Sequence, residues 1–174
     1  VLTMEATQTQ SEAAMISEPR KEHQWLRKLL GEWTYETEAK MGSDQPSVKT
    51  TGTETVRSLG DLWFLAEGQG EMPGCGLATT LMTLGYDPQQ QKFVGSWIGS
   101  MMTHLWRYEG ELDASTNQLT LNSEGPSMRG DNQMAHYRDV IEFQNDNHRT
   151  LTSYALSEDG QWYQFMTAYY ERKQ

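Results

Sequence analysis

Four polar residues, Glu54, His104, His136 and Arg138, could converge on one piece of chemistry. In the run Val48–Ser58, Lys49 and Arg57 belong on the water side, which places Val48, Glu54 and Val56 on the inner one. In Thr103–Leu112, Arg107, Glu109 and Glu111 take the outside and leave His104, Trp106 and Tyr108 within. His136 and Arg138 stand in a third run as possible partners for Glu54. A carboxylate withdrawn from water needs a partner, or it takes up a proton. A Glu–His or Glu–Arg pair in an apolar cavity can orient the polar head of a ligand, or act as general base and acid. The competing reading is a structural network across the interior. Parity leads to a specific expectation, that Glu54 and His104 share one interior cavity.

Aromatic residues and methionines form the other distinctive set. Trp63, Trp97, Trp106, Trp162, Tyr86, Phe93, Met82, Met101 and Met102 concentrate in the central runs. Trp97, Met101, Trp106 and Tyr108 would offer contact area to a flat apolar ligand, since rings stack and Met adapts its shape. The same residues would equally serve as plain core. The histidines His23, His104, His136 and His148 form no H-x-H, H-E-x-x-H or Cys/His cluster, so no metal is expected. Convergence of His104, His136 and Glu54 from separate strands is the one metal arrangement left open. There is no G-x-S-x-G, and Cys75 has no neighbouring base; Met72–Gly76 reads as a turn with a free thiol. Gly68, Gly70, Gly74 and Gly76 do not precede a helix, so they make no phosphate loop.

The elements that must position these residues are strands. After a helical stretch from Pro19 to Leu30, in which Trp25, Leu26, Leu29 and Leu30 recur at helical spacing, Gly31 stops the run. From there the period is two. Trp33–Met41 alternates apolar or small residues with mostly charged ones. Val48–Ser58, Leu62–Gly70, Leu77–Tyr86, Lys92–Ser100, Thr103–Leu112, Gln118–Ser123, Ala135–Gln144, His148–Leu156 and Gln161–Glu171 follow, with turn residues between them such as Gly60-Asp61, Asp87-Pro88 and Asn145-Asp146-Asn147. No connection is long enough for a crossover, so the chain is all-β, an antiparallel up-and-down meander of about ten strands. Closure into a barrel removes the two edges such a meander would otherwise expose. Residues 1–18, rich in Gln, Ser, Thr and Glu, read as a flexible tail, and 19–174 as a single barrel domain. Gly125–Asn132 reads as a flap at the cavity mouth.

The formal charge of the 174 residues is -10, with positive side chains scattered singly among carboxylates. That argues against nucleic acid and against an anionic membrane surface as partners. No stretch reaches the roughly 18 apolar residues of a membrane-spanning helix. One cysteine permits no internal disulfide and suits a reducing compartment, so the chain is expected in the cytoplasm.

Gly31-Glu32-Trp33 after a short helix, with Arg172 closing the last strand, resembles the G-x-W opening and terminal Arg of lipocalin and calycin barrels. That resemblance implies that Trp33 faces inward with Tyr35, Thr37, Ala39 and Met41, and that Arg172 packs on Trp33, where a guanidinium is attracted to the ring face. His23-Gln24-Trp25-Leu26, Leu84-Gly85-Tyr86-Asp87, Trp97-Ile98-Gly99-Ser100-Met101, Tyr108-Glu109-Gly110 and Tyr137-Arg138-Asp139-Val140 are similar to the pattern of the uncharacterised bacterial domain-of-unknown-function family 1579. The resemblance implies a calycin-type barrel and brings no activity. Related ten-stranded barrels include haem binders, which makes a haem on an inward His an alternative; no cofactor is otherwise expected.

The function expected from all this is binding of a small apolar or aromatic molecule. Trp97, Met101, Trp106 and Tyr108 would supply contact area, and Glu54, His104, His136 and Arg138 would orient a polar group. The alternatives are an enzyme moving a proton with an interior Glu/His pair, as an isomerase, cyclase or hydratase would, and a protein-interaction module, for instance as a homodimer.

Overall fold

A computed structural model describes residues 16–40, 42, 44–72 and 74–174. The sequence reading of a flexible tail falls mostly on residues 1–15, outside those described, as do the inward placement of Met41 and Pro73 of the Met72–Gly76 turn. Helix α1 runs Lys21–Leu26 and tightens into a 3-10 turn, Arg27–Leu29. Its first turn closes when the Arg20 N–H donates to His23 Nδ1 at 2.9 Å. It ends where Gly31, at φ 119°, turns the chain into the first strand, a conformation that side chains with a Cβ avoid. Trp25, Leu26, Leu29 and His23 are the buried face.

Ten strands follow: β1 Gly31–Ala39, β2 Val48–Leu59, β3 Trp63–Met72, β4 Gly76–Asp87, β5 Lys92–Gly99, β6 Trp106–Asp113, β7 Gln118–Pro126, β8 Met134–Asn145, β9 His148–Leu156 and β10 Trp162–Arg172. Each pairs antiparallel with the next, and β10 pairs with β1 to close the barrel. The expected meander is therefore present and has no free edge. One boundary matters for the site. β6 begins at Trp106, not Thr103, because the chain turns after β5, with Met102 N–H donating to Gly99 O at 3.3 Å. His104 consequently lies in a loop.

Helix α1 plugs the end where β1 starts. Trp25 Nε1 donates to Asn117 Oδ1 at 3.3 Å, Lys28 Nζ reaches the same oxygen at 3.1 Å, and Arg27 pairs with Asp61 at 2.5 Å. His23 meets Tyr86 edge-on, with ring centroids 5.9 Å apart. Inward residues of this half are large and sealed: Trp33, Phe64, Leu84, Phe93, Leu119, Leu121, Ile141 and Phe143. Each full burial of that size contributes roughly 1.5–3 kcal/mol, so this half carries most of the apolar stabilisation. The opposite end is bounded by the loops before β2, β4, β6, β8 and β10, and among the described residues no helix lies across it. No helix among the described residues is long and apolar enough to cross a membrane.

Candidate functional site

Trp33 anchors the floor. Completely buried, it donates Nε1–H to Leu29 O at 2.8 Å. The Arg172 guanidinium lies 4.2 Å from its ring centroid, as the sequence predicts, and donates to the carbonyls of Lys28 (2.8 Å), Asp146 (3.0 Å) and Leu30. The terminal arginine thus ties the helix linker and the β8–β9 turn to the barrel floor.

Above the floor sits a buried ion pair. Register places Glu54 beside Trp33, and its carboxylate accepts from Nη2 of Arg149 on β9. Arg149 is 2% exposed, and its guanidinium lies 3.8 Å from the Tyr170 centroid and 4.6 Å from that of Trp33. Among the described residues its Nε–H has no hydrogen-bond partner. Tyr35 leans on Tyr170 with centroids 5.1 Å apart. Burial, with the Glu54 charge adding to it, raises the Tyr35 hydroxyl above its ordinary pKa and Tyr170 well above.

The partners expected for Glu54 are elsewhere. The inward residues of β8 are Tyr137, Asp139, Ile141 and Phe143, so His136 and Arg138, on the alternate positions, face outward. His136 is exposed. Arg138 stacks 4.1 Å over Trp162 and donates Nε–H to Asn122 at 3.2 Å. It borders a groove of about 300 Å³ on the outer wall, with Thr120, Thr152, Tyr154 and Trp162, all on outward positions. His104, half-buried at the mouth, joins Glu124 O through Nε2 at 3.0 Å and meets Trp106 edge-on at 4.9 Å. Glu54 and His104 therefore have separate partners, and among the described residues no His pairs with Glu54. Among the described residues no group of three or more His, Cys, Asp or Glu is placed to hold a metal ion. Trp97, Trp106 and Tyr108 do point inward, as β5–β6 pairing requires, and Met101 folds over Gly99 beside Trp97.

A second polar cluster lies in the wall formed by β6, β8 and β9. Asp139 accepts from the Tyr108 hydroxyl at 2.5 Å and from Ser153 Oγ at 2.6 Å. Burial raises the Asp139 carboxyl pKa against the opposing pull of those two hydroxyls, and raises that of Tyr108 well above its ordinary value. One step toward the mouth on the same strands, Trp106 and Tyr137 meet edge-on at 5.1 Å, and Tyr137 in turn meets Phe165 at 6.2 Å.

Several rings in this half lie against the wall. A Cβ on Gly125 would fall 2.1 Å from the Trp106 ring, and one on Gly52 or Gly70 would fall 2.3 Å from Tyr35 atoms. Glycine at these inward positions lets the rings lie flat along the strands. Tyr35, Thr37, Thr50, Glu54, Trp97, Trp106, Ser123, Asp139 and Met166 all face inward yet are only half-buried. In a closed barrel an inward side chain can meet solvent only through the lumen, so the open half is the less tightly filled one.

Arg149, Asp139, Ser153 and Tyr170 escaped the sequence reading, and the signal was available. Leu151 and Ala155 assign the inner face of β9, and Arg149 and Ser153 share their parity; Tyr137 and Ile141 do the same for Asp139 on β8.

Fold and lumen together define a closed ten-stranded antiparallel barrel, helix-capped at one end, with charged groups inside. The family description "Protein of unknown function (DUF1579)" matches residues 18–172, and the chain belongs to that family. No curated protein matches it. Among solved structures it is similar to the one titled "Crystal Structure of Rv2717c from M. tuberculosis", with a TM-score of 0.60 at 10% identity over 90% of this chain and 100% of that one. At that identity the likeness concerns the fold.

Proposed function

We propose that this protein binds a small, largely apolar or aromatic molecule in the open half of the barrel. The observation that carries the reading is the partial exposure of inward-facing Tyr35, Thr50, Trp97, Trp106 and Asp139 inside a sheet that has no edge. An apolar lining with a few fixed polar groups is what small-molecule sites share. Here Trp97, Met101, Trp106 and Tyr137 supply contact area, and Asp139, Ser153 and Glu54 supply the polar groups. Rings laid flat over glycine leave their faces for a ligand.

The test uses 1-naphthalenemethanol as probe, with quenching of tryptophan fluorescence and a thermal shift as readouts. Saturable binding is expected. Thr50→Trp, which fills the lumen, should abolish it, while Thr152→Trp on the outer wall should leave it unchanged. Equal binding by both variants would place the probe outside the lumen and end the proposal.

A further inference from the structure

The lumen's charges do not balance. Arg149 is committed to Glu54 and held between Tyr170 and Trp33. Asp139 has only two hydroxyl partners, and among the described residues no cation pairs with it. His136 and Arg138, its near neighbours in sequence, point away to the outer wall. Each carboxylate oxygen that accepts one hydroxyl keeps capacity for a second donor, and Asp139 stands on an inward position of β8 and as a residue is only partly buried. Directly mouthward stand the edge-paired rings of Trp106 and Tyr137, with Trp97 opposite Trp106 in register. A carboxylate below aromatic faces is a receptor for an ammonium group: the ion pairs with the oxygen, and the rings attract the remaining positive surface.

Resting on the small-molecule reading, we propose that the lumen selects a cationic ligand, an aromatic or amphiphilic amine. Its ammonium group sits against Asp139 and its apolar body lies along Trp106, Tyr137 and Trp97. An anionic ligand finds no free guanidinium inside, because Glu54 already neutralises Arg149, and it would meet Asp139 as a like charge. The chain's overall charge of -10 works in the same direction, drawing cations toward the mouth.

Three probes of nearly one shape test the charge preference: 1-naphthylmethylamine, 1-naphthalenemethanol and 1-naphthaleneacetic acid, titrated at pH 7 and moderate salt. The amine should bind at least tenfold more tightly than the alcohol, and the acid more weakly than either. In Asp139→Asn the amine's advantage over the alcohol should disappear. If that variant does not fold, Tyr108→Phe, which removes one donor and keeps the carboxylate, should hold or enlarge the amine preference; a reduced preference there overturns the proposal. An alcohol or acid that binds as tightly as the amine to the natural chain overturns the charge selection and leaves the lumen as a binding site. Failure of all three probes to bind removes both readings together. A preference that survives intact in Asp139→Asn would trace to overall charge and would equally overturn the role given to Asp139.

Discussion

The two halves of the barrel are built from the same alternation and end up as different objects. In the helix-capped half the inward positions hold Trp33, Phe64, Leu84, Phe93, Leu119, Leu121 and Ile141, and water is shut out. In the open half they hold Gly52, Gly68, Gly70, Gly125, Ala155, Ser123 and Thr50, with a few rings pressed against the wall. Period-two patterning decides which way a side chain points; its volume decides whether the space inside is filled. One half is therefore a closely packed core and the other a loosely filled interior, and the charged groups lie where the two meet. The three arginines stacked on aromatic rings sample this gradient, with Arg149 deep inside, Arg172 at the capped rim and Arg138 on the outer wall.

The largest effect is expected at Arg149. Arg149→Ala removes packing from Tyr170 and Trp33 and strands the Glu54 carboxylate, at a cost of about 3–5 kcal/mol. Urea denaturation measures it. Removing both charges in Glu54→Leu/Arg149→Met should recover most of that loss, since a buried pair replaced by apolar residues is often neutral. A double variant as unstable as the single one would mean that the pair itself, not an unpaired charge, holds the barrel together.

Arg172→Ala comes next. It removes the guanidinium from Trp33 and frees the carbonyls of Lys28, Leu30 and Asp146, for a loss of about 1–3 kcal/mol. The damage should be local to the capped end. Hydrogen exchange should quicken in the helix and the β8–β9 turn, while ligand binding in the open half persists. Unchanged thermal stability would separate the cap from the barrel floor and break the comparison drawn here.

A third effect depends on pH. Burial lowers the pKa of His23 below its ordinary value of 6.5, while its Nδ1 accepts from the Arg20 N–H and so holds the ring neutral. The unfolded chain binds a proton there more readily than the folded one. The stabilisation is therefore complete above pH 6.5 and is lost as pH falls through the lower, folded value. Melting temperature should drop between pH 7 and 5, and His23→Gln should flatten that slope. An identical slope in the variant would assign the acid sensitivity to other groups.

The smallest effect belongs to Arg138. Half-exposed over Trp162, its cation–π contact contributes only about 0.5–1 kcal/mol, so Arg138→Ala should barely move the denaturation midpoint. A loss as large as that of Arg172→Ala would mean that the outer groove matters as much as the floor.

Much of this architecture is legible along the chain. The alternation from Trp33 onward sets ten antiparallel strands, because a side-chain period of two leaves no other way to bury one apolar face. The G-x-W opening with a terminal Arg anticipates the stacking of Arg172 on Trp33. Glu54 lands inside, since Lys49 and Arg57 on the alternate positions face water, and Trp106 and Tyr108 do so by the same logic. What lay beyond reach was pairing across the lumen. Glu54 and Arg149 stand on strands that are not neighbours and are 95 residues apart, and Tyr108, Asp139 and Ser153 come from three strands. Parity names the face a residue occupies but not the height at which residues on opposite walls meet, which depends on strand tilt and stagger around the closed barrel. His104 shows the other limit: a turn after β5 delayed the strand and left the ring at the mouth. Local chemistry wrote the strands and their inner faces; barrel closure alone decided which charges found each other and which one, Asp139, has no partner ion among the described residues.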